Sequence, residues 1–220
     1  MKKFLFVLLS IAFVSGAYAQ EFKLICGLNL SKYILSPDLN QPNIGIEFER
    51  KSNYKMGFTL GCGVEFALSK NIAFEIDWLY SQKGCKGEVK PVYPALEESY
   101  IVPIPTEYSL HLFSIPVILK IKFLPDSSPY ILGGGEFSFV LTHRYTHIFN
   151  GGGDGLNITE NTKYLDYGLL FGGGFEIRSK AASLFIEVRY HLGLQNISKD
   201  YFKFESIKTR AVVLILGFKI

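Results

Sequence analysis

Beyond the N-terminus, no stretch approaches the roughly 18 consecutive apolar residues a membrane-crossing helix needs, so none is expected. Cysteine is scarce: Cys26, Cys62 and Cys85 make an odd count without metal-ligand spacing, so no metal site is expected. Cys26 and Cys62 fall on one face of neighbouring predicted strands, which by itself does not establish that they pair. Charge of one sign is not in excess, since 23 Lys and Arg stand against 20 Asp and Glu. The basic residues do not cluster with aromatic platforms, which removes support for a nucleic-acid partner. No cofactor motif is present, and no cofactor is expected. What the chain does have is 21 glycines and 15% aromatic residues, a composition that suits a β-rich fold.

The N-terminus has its own pattern. Met1-Lys2-Lys3 precedes an apolar stretch from Phe4 to Val14 and the small-residue site Ala17-Tyr18-Ala19. This reads as a secretory signal peptide, residues 1–19, cleaved before Gln20. No cysteine stands at the cleavage point, so a lipid anchor is not expected. Residues 20–220 then form one domain.

Within that domain apolar and polar residues alternate. In "LFIEVRYHLGL", residues 184–194, Leu184, Ile186, Val188, Tyr190, Leu192 and Leu194 take one parity. Phe185, Glu187, Arg189, His191 and Gly193 take the other, the signature of a strand with one apolar and one polar face. Similar patterns predict strands near 21–34, 54–69, 71–83, 107–123, 129–145, 163–178 and 208–220, eight in all. The connections alternate as well. Short turns are expected at 69–71, 125–128 and 179–181, and longer loops at about 35–53, 84–106, 146–162 and 197–207. Even strand number with short periplasmic turns and long outer loops is the pattern of outer-membrane barrels.

The polar face indicates which side looks inward. It carries both signs in Glu65, Glu75, Asp77, Lys120, Lys122, Glu136, Asp166, Glu176, Arg178, Glu187, Arg189 and Lys219. Glycines lie between these charges, as expected of a narrow lumen where long side chains need empty neighbours. Charges of opposite sign in such a space should pair and plug it. The apolar face lacks charge at strand centres and carries Trp78, Tyr80, Tyr145 and Tyr167 towards the outer boundary, as interfacial aromatics do. The fold expected is an eight-stranded antiparallel up-and-down transmembrane β-barrel, apolar face to lipid. It is expected to be a monomer in the bacterial cell outer membrane.

Several segments carry a family resemblance. "FSIPVILKIKF" followed by "SPYILGGGEF", and the terminal "VVLILGFKI", resemble the PorT-like outer-membrane β-barrel proteins of Bacteroidetes. The most recognisable part is Ile115–Lys120 followed by Pro129–Gly135. The resemblance implies a barrel rather than a particular activity. Partners are then outer-membrane lipid, together with a protein or small-molecule ligand at the long loops, in adhesion or a secretion-accessory role.

Two alternatives belong to other classes. Ser109, His111 and His143 fall on the outward parity near the outer rim, and Ser109 is expected opposite His143. A hydroxyl beside a base facing lipid is what a lipid A deacylase-like hydrolase needs, but no acidic residue can be placed to orient the histidine. No catalytic residue is therefore assigned. A secreted lipocalin-like barrel binding an apolar ligand would reverse the two faces. The run Gly151-Gly152-Gly153-Asp154-Gly155 reads as a loop rather than an ion-binding repeat.

Overall fold

The structure, a computed structural model, describes residues 20–37, 47–92, 104–124, 128–147, 155–178, 182–199 and 205–220. Residues 1–19, the run 151–154 and the turns at 125–127 and 179–181 lie outside the described residues. The strands are β1 (Gln20–Pro37), β2 (Glu47–Asn53), β3 (Lys55–Ala67), β4 (Ile72–Val92) and β5 (Ile104–Lys122). They continue with β6 (Ser128–His147), β7 (Gly155–Asn157), β8 (Leu165–Arg178), β9 (Ser183–Gly193) and β10 (Glu205–Lys219).

Eight of them form a ring in the order β1, β3, β4, β5, β6, β8, β9, β10, each antiparallel to its neighbours. β10 closes on β1 from Lys23–Lys219 to Pro37–Glu205. At the lower rim the Phe22 and Ile220 backbones exchange hydrogen bonds of 3.0 and 2.9 Å. Closure leaves the ring itself without a free edge, which satisfies backbone polar groups inside hydrocarbon.

Burial settles the orientation of the two faces. On β9, Glu187 is 0% exposed and Ile186 is 45% exposed. The same inversion runs around the ring: Leu24, Leu60, Leu119, Phe171 and Leu216 are exposed, while Lys23, Lys120, Glu75 and Asp77 are buried. A barrel built to carry an apolar ligand would do the opposite, so the lipocalin-like alternative is rejected. The fold is an eight-stranded antiparallel transmembrane β-barrel.

Strand lengths depart from the sequence expectation at the end away from the short turns. Segments 47–53 and 84–92, expected as loop, are strand: β2 continues β3 past Tyr54 and pairs with β4 from Asn53–Lys86 to Glu47–Val92. Outside the bilayer an outer face need not be apolar, so the alternation used to find strands fades there.

Where β5 meets β6, the register shifts between His111 and Leu112, leaving one extra residue on β6. Such a bulge reverses the in–out parity above it. Above this level two descending segments cover the mouth. Residues 158–163 and 194–199 are tied together by a Thr162–Ser198 bridge and the bond Lys163 N to Ile197 O, 2.7 Å. Ile158 and Ile197 are buried, and Ile197 packs among Tyr33, Cys85, Leu110, Leu112 and Val140. The mouth is capped by an apolar plug.

Candidate functional site

Below the cap the lumen holds a belt of ion pairs. Its cations are Lys23, Lys120, Lys122, Arg189 and Lys219; its anions are Glu65, Glu75, Asp77, Glu176 and Glu187. Arg189 is the hub: it reaches Asp77 at 2.7 Å, Glu75 at 2.8 Å and Glu187 at 2.5 Å. Lys120 contacts Glu75 at 2.6 Å, Glu187 at 2.7 Å and Glu65 at 3.2 Å. Lys219 joins Glu65 to Glu176, both at 2.7 Å, and Lys122 reaches the same two carboxylates. Lys23 meets Glu75 at 2.5 Å. The strand period brings these together, because each residue occupies the inward parity of its own strand.

Two aromatic rings complete the filling. Phe185 lies among three ammonium groups, Lys23, Lys120 and Lys219, at 4.6, 5.4 and 5.8 Å from its centroid. Tyr130 donates its hydroxyl to Glu187 at 2.8 Å, and its ring sits 4.6 Å from Lys120 Nζ. Gly217 and Gly174 make room for them: a Cβ there would lie 2.0 Å from the Phe185 ring and 2.7 Å from the Tyr130 ring. Rings over cations add to the neutralisation that carboxylates provide.

A second polar cluster sits between the belt and the cap. Lys83 pairs with Glu136 at 2.7 Å, Ser138 donates to Glu136 at 3.0 Å, and His191 lies 3.6 Å from the same carboxylate. Asp166 accepts a bond from Thr209 at 2.8 Å, but its other oxygen and both His191 ring nitrogens have no hydrogen-bond partner among the described residues. The charged residues marked in the sequence are thus divided in three. Glu65, Glu75, Asp77, Lys120, Lys122, Glu176, Glu187 and Arg189 meet in the belt, and Glu136 and Asp166 lie above it. Arg178 stands at the edge of the belt, at the lower mouth and 38% exposed, where it pairs with Glu21 at 2.8 Å and reaches the belt's Glu176 at 3.4 Å. Lys219, also on the polar face in the sequence, joins the belt, whereas Lys23 and Lys83 were not in that set although inward parity marks both.

Of the aromatics, Trp78, Tyr80 and Tyr167 top outward apolar columns, with Trp78 39% and Tyr167 40% exposed. Tyr145 is a correction. The β6 bulge places it opposite Tyr108, on the parity of buried His143, and its ring stacks on Tyr108 at 4.7 Å.

The bulge also separates the serine–histidine set. Ser109 faces Arg144, and His143 faces Leu110. His143 is buried between Tyr33 and Thr162, at 3.0 and 2.7 Å, and holds the cap to the wall. His111 hydrogen-bonds Tyr80 instead. Ser109 contacts the Lys55 ammonium, which is ion-paired with Glu107 at 2.9 Å. An ammonium engaged by a carboxylate donates to the hydroxyl and cannot take its proton, so this contact does not activate Ser109. Cys26, Cys62 and Cys85 are free thiols, and Cys26 pairs in register with Leu60 rather than Cys62.

With this geometry in place, the family follows. Residues 19–199 match the model of the outer membrane protein beta-barrel domain, and the chain belongs to that family. Solved structures with a similar course include OprG of Pseudomonas aeruginosa, with 11% identity and a TM-score of 0.47 over 93% of this chain and 97% of that one. Neisserial surface protein A shares 16% identity with a TM-score of 0.42 over 90% and 96% of the two chains. Ail of Yersinia pestis shares 14% identity with a TM-score of 0.42 over 91% and 99%. No curated protein sequence matches the chain.

Proposed function

We propose that this is a closed, non-enzymatic outer-membrane barrel whose activity resides in the parts of its strands and loops that stand outside the bilayer. Such a surface serves adhesion, ligand binding or an accessory role in secretion. The observation that carries this reading is the balanced belt, five cations against five anions across a lumen that eight strands leave only just wide enough for side chains. Opening it would require separating several buried pairs at once.

In the same reading residues 1–19 are a cleaved signal peptide, and the short turns and both strand termini face the periplasm. The family match beginning at residue 19 supports the signal peptide. Trp78, Tyr80 and Tyr167 mark the outer interface. The PorT-like segments Ile115–Lys120 and Pro129–Gly135 support a place among the barrels of Bacteroidetes.

Planar-bilayer recording with the purified barrel is the test, and no stable conductance is expected. Reproducible open-channel steps would overturn the closed barrel. Release of acyl chains from lipopolysaccharide, abolished by Ser109→Ala, would overturn the non-enzymatic assignment.

A further inference from the structure

On the outer face of the β1–β10 seam, side chains meet in register as Leu24–Phe218, Cys26–Leu216, Leu28–Leu214 and Leu30–Val212. The next two outward pairs are Lys32–Arg210 and Ile34–Lys208. The apolar ladder therefore ends abruptly in three cations. Lys32 and Arg210 stand directly opposite one another, an arrangement that repels in a sheet. Among the described residues none of the three has an ion-pair partner, whereas inside the same barrel cations and carboxylates are matched. Lys32 Nζ lies instead over the ring of Tyr54, 4.8 Å from its centroid, and Tyr54 is itself exposed. Below them Met56, Leu28 and Leu214 continue the lipid-facing surface.

We propose that Lys32, Lys208 and Arg210 bind the phosphate group of an outer-leaflet glycolipid, whose acyl chains lie along the ladder beneath. The inference rests on the orientation proposed above, with this end of the barrel outward. Two features select a lipid phosphate over a soluble anion. The cations stand at the upper limit of the apolar band, where headgroups lie, and the surface directly below is suited to hydrocarbon. Guanidinium and ammonium groups together supply both a fork and a point charge for phosphate oxygens. The anion also relieves the repulsion across the seam, so the pairing costs stability only when the site is empty.

Native mass spectrometry of the full barrel in neutral detergent tests this with lipid A carrying both phosphates, the same lipid dephosphorylated, and inorganic phosphate alone. Phosphorylated lipid A should stay bound, and Lys32→Gln/Lys208→Gln/Arg210→Gln should weaken it about tenfold or more. Arg144→Gln, an outward cation on β6, should leave binding unchanged. In lipid-free neutral detergent, Lys32→Gln should unfold at a temperature equal to or above that of the parent, and phosphorylated lipid A should reverse that order. Heat-modifiable gel mobility of each variant reports an intact barrel, so loss of the barrel itself is told apart from loss of the site. Equal binding of the two lipids, a triple variant that binds like the parent, or equal protection by inorganic phosphate would overturn the proposal.

Discussion

Arg189→Met tests the belt at its hub. The guanidinium is 1% exposed, makes bonds of 2.6 to 2.8 Å to Glu187, Asp77 and Glu75, and sits where no solvent can replace them. Methionine fills similar volume, so the loss is electrostatic: four cations remain against five carboxylates. Removing one member of a buried ion network costs about 3–5 kcal/mol, because the abandoned charge keeps its desolvation penalty. Arg178→Met is the matched control, since Arg178 stands at the solvated mouth and its pairs should be worth about 0–1 kcal/mol. Urea unfolding from lipid vesicles, followed by the emission of Trp78, the single tryptophan, measures both. Adding Asp77→Leu to Arg189→Met restores the balance at four to four and should recover part of the loss. A cost for Arg189→Met no larger than that for Arg178→Met would refute the argument, as would a double variant less stable than the single one.

Phe171→Arg and Ile186→Arg, both on the lipid face, should each cost about 2–4 kcal/mol in the same unfolding assay if they reach the bilayer centre. Gly172→Ala should cost about 1–3 kcal/mol, because its Cβ would meet the Val188 carbonyl oxygen at 2.1 Å. Gly135→Ala, whose Cβ would have no atom nearer than 3.9 Å, should fold with unchanged heat-modifiable mobility. Equal behaviour of the two alanine variants would contradict the spacing assigned to the glycines.

How much of this was readable from the sequence depends on height in the barrel. Where strands cross lipid, parity alone identifies the belt, because a side chain there has only two directions and lipid forbids charge in one of them. Glu187 and Ile186 are separated correctly by that rule. Above the bilayer the rule loses its force. Segment 84–92 carries Lys86, Glu88 and Lys90 on alternate positions yet is strand, because hydrogen bonding to β2 and β5 holds it without an apolar face. The β6 bulge is less legible still: nothing in "FVLTHRY" announces an added residue, and one is enough to carry His143 and Tyr145 inward. Lys83 escaped notice because its strand was expected to end at that point.

The two halves of the lumen are closed by different chemistry, and that difference bears on where function resides. In the bilayer half every belt cation is matched to a carboxylate, so exchanging one side chain there disturbs several partners. In the outer half the closing elements are a small apolar plug around Ile197 and the cap bonds of His143 and Thr162. Beneath the plug, one Asp166 oxygen and both His191 ring nitrogens make no hydrogen bond among the described residues. Held by those few cap bonds, against the many ion pairs of the belt, the cap is the less stable of the two. In the function proposed above, the cap is therefore the part of the wall most easily moved by a ligand outside, while the belt would keep the membrane sealed whatever the cap does. A barrel divided like this can change its outer surface without becoming a pore.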